Sequence, residues 1–222
     1  MLTSRKLLQD RAHAARLLAS KVAYYKNSSA VVVGVGSEGA AVGSALAKEL
    51  NLVFEVVLCR QVKHPAHPET TIGSISDSLV VLNQHSYDIP QDYVVRQIAT
   101  LQREIENDYR LIYGSRPRPS FQYKTVIPVG DVLDTAHSLM AGLKVIKIQN
   151  PLQMIVAIPV VEPHAAAEIA GEVNDLVFVH MESGNLRDKD FYNSCPPVDL
   201  KEIKNSITSF KNKALRQIEI RC

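Results

Sequence analysis

The chain has 222 residues, 46% hydrophobic and 22% charged, which suits one large globular domain and excludes a disordered or collagen-like polymer. Its 25 Lys and Arg against 23 Asp and Glu give a net charge of +2, too small for a protein that binds nucleic acid by neutralising many phosphates. No run of about 18 apolar residues occurs, and Met1–Lys6 lead into an Arg- and Gln-punctuated segment, so neither a membrane partner nor a secretory signal is expected, and the location is read as cytoplasmic.

Leu7, Leu8, Ala12, Ala15, Leu18, Ala19 and Val22 recur at helical spacing, predicting an amphipathic helix that ends at Lys26-Asn27-Ser28-Ser29. Ala30-Val31-Val32-Val33 is an uninterrupted run typical of a parallel strand buried on both faces. A glycine-rich stretch, 34–43, precedes an expected helix over Ser44–Leu50 and a second strand over Leu52–Leu58, together a βαβ unit. Prolines at 65, 68 and 90 mark residues 60–92 as loops and short antiparallel strands, with Ser78–Leu82 the best of them. Val94, Ile98, Leu101, Ile105, Tyr109 and Ile112 form one face of a long helix with Pro90 near its first turn. The segment 114–120 breaks it. A strand over Thr125–Val129, a helix over Thr135–Leu143 and a strand over Met154–Ile158 follow, then a short helix at 165–170 and a strand at 176–179. Asp199 and Glu202 have the spacing of a capping box for a last helix reaching about Arg216.

This alternation predicts an α/β fold, a mostly parallel twisted sheet with helices on both faces. Residues 1–222 are read as a single domain in which 60–120 form a hood or insertion. Cys59, Cys195 and Cys222 are odd in number and lack a Cys-x-x-Cys pair, so they are expected to be free thiols. His64 and His67 are separated by Pro65, which keeps them off one helical face, so a rigid loop is expected there rather than a metal centre.

Gly34-Val35-Gly36-Ser37-Glu38-Gly39 fits G-x-G-x-x-G between a strand and a helix, where glycines let backbone approach a phosphate. A dinucleotide site also needs an acid at the end of the second strand. Glu55 lies inside that strand, and Cys59-Arg60 occupy its end. Another phosphate ligand, or plain turn chemistry, therefore remains open beside a dinucleotide.

Taken together, the segments resemble the type I phosphoribosyltransferases, specifically a bacterial branch of undefined substrate, from about residue 8 to 195. Leu8-Gln9-Asp10-Arg11 with Ala14 and Leu18-Ala19 is similar to that branch's opening helix. Arg60-Gln61-Val62, Pro65, Pro68-Glu69 and Ile72-Gly73 resemble its most specific stretch. Ala157–Val160 and Phe191-Tyr192 resemble later landmarks. Thr125–Ser138 lies where the family has a strand followed by D-D-G-x-x-T-G-x-T. The resemblance implies that Asp131 is catalytic and holds a ribose hydroxyl. It implies a ribose-phosphate site of Asp131, Asp134, Thr135, Ala136, His137 and Ser138. It further implies that Gly36, Ser37, Glu38, Gly39 and Arg60 face pyrophosphate, with Mg²⁺ brought by the ligand rather than held directly by protein. The implied partner is phosphoribosyl pyrophosphate or a nucleoside monophosphate, with the accepting base undefined; a homodimer is left open.

Several positions depart from the pattern. Gly130 replaces the first acid, Ala136 the loop glycine, Ser37-Glu38 the Arg-Gly of the pyrophosphate turn, and Gln61 the customary Lys. Asp134 adds a carboxylate beside the phosphate cradle. At about 4 Å its charge would repel phosphate by about 4 kcal/mol at an effective dielectric near 20. A protonated His137 would offset much of this. Three readings follow: a phosphoribosyltransferase, a non-catalytic binding or regulatory protein on the same scaffold, and a dinucleotide-binding reductase resting on glycine spacing alone.

Overall fold

The computed structural model describes residues 7–219; the side chains of Ser138 and of 211–219, together with Cys222, lie outside the described residues. Helix α1 (Arg11–Lys21) starts where the Asp10 carboxylate accepts from His13 N at 2.7 Å. It begins later than the apolar pattern from Leu7 predicts. Leu8 instead pairs with Tyr192 in an isolated parallel bridge, which holds it outside the helix.

Strand β1 (Val31–Val35) is buried along its whole length, and helix α2 (Gly36–Leu50) follows directly. The helix therefore starts at Gly36, not at Ser44, which corrects the expectation of a glycine loop. The reason is packing. A Cβ on Gly34 would sit 2.3 Å from Ala40 Cα, and one on Gly39 would sit 2.3 Å from Val129 O. Both glycines are small so that α2 can lie close against the strands.

Strand β2 (Val53–Val57) leads into β3 (Arg60–Lys63), β4 (Thr71–Ile75) and β5 (Val80–Leu82), a separate antiparallel sheet in the order β3-β4-β5. The strand expected over Ser78–Leu82 shortens at its start because Ser76 Oγ accepts from Ser78 N and Leu79 N, forming a turn. Helix α3 (Gln91–Tyr113) has the predicted apolar face, burying Val94, Ile105, Tyr109 and Ile112. These residues share one core cluster with α1, α2 and one face of the main sheet.

Strand β6 (Thr125–Val129), the short β7 (Val132–Leu133), helix α4 (His137–Lys147), strand β8 (Gln153–Val161), helix α5 (Pro163–Ala170), strand β9 (Asp175–Met181), helix α6 (Asp188–Phe191) and helix α7 (Leu200–Glu219) complete the fold. Helix α4 starts two residues after the predicted Thr135, because 134–136 turn before the helix. At the start of α7 the Asp199 carboxylate accepts from Lys201 N at 2.8 Å.

The main sheet is parallel throughout, in the order β2-β1-β6-β8, with β9 on the far edge of β8 and β7 pairing Val132 with Val160. The β6–β8 register puts Val126 opposite Met154 and Val129 opposite Ala157, keeping phase across Pro128, which has no N–H to donate. Alternate residues of β1, β6 and β8 face opposite ways. Val32, Ile127 and Ile155 pack toward α1, α2 and α3; Val33, Val126 and Val156 pack toward α4 and α5. Burial on both faces accounts for the unbroken apolar runs. Among the described residues, no helix is long and apolar enough to cross a membrane.

Candidate functional site

From β1 the chain moves outward to β2 on one side, whereas β6 and β8 extend the sheet on the other. Such a switch point leaves a crevice beyond the strand ends. A cleft of about 450 Å³ opens there, bounded by the 35–39 segment, Cys59–Gln61, the 130–134 loop, Leu139, Leu186 and Asp188. Gly36 turns the chain from strand to helix at φ +71°, a conformation that suits glycine. The N-terminus of α2 thus points its first amides at the cleft.

Asp131 occupies the break between β6 and β7. It is 4% exposed, and both of its oxygens are engaged. Arg11 Nε donates to Oδ2 at 2.7 Å, and the Tyr192 hydroxyl donates to Oδ1 at 2.5 Å. The same guanidinium also donates to Asp188 Oδ2 at 3.2 Å and to Pro196 O at 2.8 Å. One arginine near the start of the chain therefore ties the strand break to the C-terminal segment. Burial pushes the Asp131 carboxyl up to about 6; the charge of Asp188 adds to this, while Arg11 and the Tyr192 bond oppose it. Asp188 is likewise raised by burial and by the nearby Glu38, against the pull of Arg11. Burial opposes charge on Arg11, yet its acidic partners hold it above its ordinary range. Asp131, Asp188 and Cys195 bring ligand atoms within 4.8 Å of one another. Arg11 already supplies the positive charge to both carboxylates, so this cluster is an ion-pair network.

The loop after β7 carries Asp134, half-buried on the cleft wall. Lys63, on β3, is not among the residues that line the cleft. Burial lowers the Lys63 ammonium, and Asp134 and Glu69 pull it back up. Lys63 Nζ donates to Thr71 Oγ1 at 2.9 Å, and that hydroxyl donates to Gln61 Oε1 at 3.1 Å. Helix α4 then begins at His137, with Ala136 at its N-cap position making no side-chain cap bond.

Gly36, Ser37, Glu38, Gly39, Arg60, Asp131 and Asp134 all line this one cleft. Glu38 is exposed in the first turn of α2. The Arg60 guanidinium is bonded to Asp108 on α3 and to Cys59 O. Thr135 is exposed, Ala136 buried and His137 half-buried at the mouth of α4, next to the cleft wall. The Ser138 side chain lies outside the described residues. Glu55 is buried and accepts from the Tyr113 hydroxyl at 2.8 Å, on the α3 side of the sheet. In the 64–67 loop, His64 Nδ1 accepts from Ala66 N and His67 N.

A family model described as phosphoribosyl transferase domain matches residues 5–179, well over half of the chain. The chain belongs to this family. Two Mycobacterium tuberculosis proteins, from strains CDC 1551 / Oshkosh and H37Rv, carry provisional phosphoribosyl transferase names. Each is 28% identical over 180 residues, which is 78% of this chain and 40% of the relative. The chain thus spans well under half the length of these curated relatives. The crystal structure of TT1426 from Thermus thermophilus superposes with a TM-score of 0.72 at 25% identity, covering 91% of this chain and 98% of that one. A type I phosphoribosyltransferase fold is thereby shown.

In this phosphoribosyl transferase domain, three partners escape a reading by motif. Arg11 and Tyr192 lie 120 and 61 residues from Asp131, and the sequence marks them only as landmarks of the resemblance. Asp188 has no local motif at all.

Proposed function

We propose that the domain binds a 5-phosphoribosyl compound, phosphoribosyl pyrophosphate or a nucleoside monophosphate, in the switch-point cleft. The observation that carries this reading is the convergence of two helix N-termini, those of α2 and α4, on one crevice walled by the 36–39 and 130–134 segments. Backbone amides at helix starts favour an anion. The phosphate would rest against the start of α4, beside Thr135, Ala136, His137 and Ser138. Asp134 offers an oxygen ligand of the kind Mg²⁺ prefers, so a Mg²⁺ carried in on the phosphate would meet a suitable neighbour. When bound, it would neutralise charge on the phosphoryl oxygens.

If transfer occurs, a nitrogenous base would displace pyrophosphate from the ribose, and carboxylates near the ring would favour its developing positive charge. A second reading, a binding or regulatory protein without transfer, is favoured by Asp131. Its oxygens are held by Arg11 and Tyr192, so a ribose hydroxyl would have to displace one of them. Calorimetric titration with phosphoribosyl pyrophosphate, AMP and GMP in Mg²⁺ tests the common core of both readings. Saturable heat with at least one ligand is expected. No heat with any of them at millimolar ligand rejects it.

A further inference from the structure

Four carboxylates among the described residues line the cleft: Glu38, Asp131, Asp134 and Asp188. A carboxylate reads a sugar hydroxyl sharply only when it is both buried and in want of a donor. At an exposed acceptor water replaces the hydroxyl, and an acceptor already satisfied loses nothing without it. Glu38 is exposed, and Asp134 and Asp188 are half-buried. Asp188 Oδ2 already accepts from Arg11 at 3.2 Å and from the Cys195 thiol at 3.6 Å. Of the four, only Asp131 is buried, and its two oxygens are taken by Arg11 and Tyr192. Neither donor is loosely placed. The Arg11 guanidinium also reaches Asp188 and Pro196 O. The Tyr192 ring is 2% exposed, and the backbone on either side of it is pinned to Leu8: Leu8 N donates to Phe191 O at 3.0 Å, and Asn193 N donates to Leu8 O at 2.9 Å. The protein thus supplies from its own side chains the two donors that a sugar's hydroxyls would bring.

We infer that the cleft is indifferent to the 2′- and 3′-hydroxyls of its ligand, accepting ribose and deoxyribose 5-phosphates alike, and that Tyr192 sets this indifference by occupying Asp131 Oδ1. This rests on the reading that the cleft takes a phosphoribosyl ligand, and it widens the ligand's class to the deoxy forms. Tyr192→Phe vacates Oδ1 while Arg11 keeps Oδ2. The buried carboxylate then has an oxygen in want of a donor, and with it a preference for the hydroxylated sugar.

The test is calorimetric titration of the whole chain in Mg²⁺ with two pairs of ligands, AMP against 2′,3′-dideoxy-AMP and ribose 5-phosphate against 2-deoxyribose 5-phosphate, repeated for Tyr192→Phe. In the parent chain the members of whichever pair gives heat are expected to bind within about fivefold of each other. In Tyr192→Phe the hydroxylated member is expected to bind at least about tenfold tighter than its deoxy partner, the worth of one hydrogen bond to a charged acceptor. A difference above about fivefold in the parent overturns the inference but leaves the phosphoribosyl reading standing. A variant that keeps the parent's ratio overturns the role given to Tyr192. The parent ratio needs no variant, so a Tyr192→Phe chain that fails to fold leaves that comparison decisive. Silence with all four ligands in the parent defeats the phosphoribosyl reading itself, and the inference with it.

Discussion

Replacing Tyr192 with Phe removes one hydroxyl and leaves a buried ring, 2% exposed in the parent residue, able to pack as before. Asp131 Oδ1 then loses its 2.5 Å donor, while Arg11 keeps Oδ2. A hydrogen bond to a charged group is worth about 1.5–3 kcal/mol, so at pH 8, with Asp131 ionised, the variant loses about 2 kcal/mol. For a chain of this size that is a fall in Tm of roughly 4–8 °C. At pH 5 the Asp131 carboxyl, pushed up to about 6, is mostly protonated, and the lost bond is a neutral one worth about 1 kcal/mol. Because Asp131 sits above its ordinary 3.8 in the fold, its protonated form contributes stability that is complete below about pH 4. That stability is lost as pH rises through about 6, about 3 kcal/mol in all. The tyrosine hydroxyl lowers this carboxyl, so in Tyr192→Phe the loss extends to higher pH. Urea unfolding at pH 5 and pH 8, with a carboxyl ¹³C titration of Asp131, reads both effects. Equal destabilisation at the two pH values, or an Asp131 that titrates no higher than in the parent, would refute the reasoning.

Four further substitutions probe the same framework. Arg11→Ala leaves Asp131 and Asp188 without their shared cation and should cost about 3–5 kcal/mol in urea unfolding at pH 8. Arg11→Lys should recover only part of this, because an ammonium cannot reproduce the guanidinium fork that reaches three acceptors. Gly39→Ala drives a methyl to 2.3 Å from Val129 O and should cost about 1–3 kcal/mol by thermal denaturation as α2 lifts from β6. Tyr113→Phe removes the 2.8 Å donor to buried Glu55 and should destabilise by about 1–3 kcal/mol; a loss under about 0.5 kcal/mol would show that the bond is dispensable.

The sheet was readable from the sequence because its strands are buried on both faces. Val31–Val33 and Thr125–Val129 carry that requirement as continuous apolar runs, and α3 carries its one-sided burial as a 3-and-4 spacing. The start of α2 was not readable. Its glycines have poor helix propensity, and the contacts that require small residues, Gly34 of β1 against Ala40 and Gly39 of α2 against Val129 O, exist only once strand and helix are packed. The cleft was half readable. Residues 36–39 and 131–134 stand in contiguous motifs, and one crevice gathers them. What surrounds Asp131 was hidden, because Arg11, Tyr192 and Asp188 come from the two ends of the described chain and meet only through tertiary structure. The same is true of Arg60, whose pairing with Asp108 depends on how α3 docks over β3.

The most direct measurement is a crystal structure of the protein soaked with ribose 5-phosphate. The phosphate should lie over the backbone amides at 134–138, with the sugar reaching into the cleft between the 36–39 and 130–134 segments. A phosphate bound elsewhere, or an Asp134 carboxylate turned into that bend and satisfying its amides so that no anion enters, would contradict a phosphoribosyl site here.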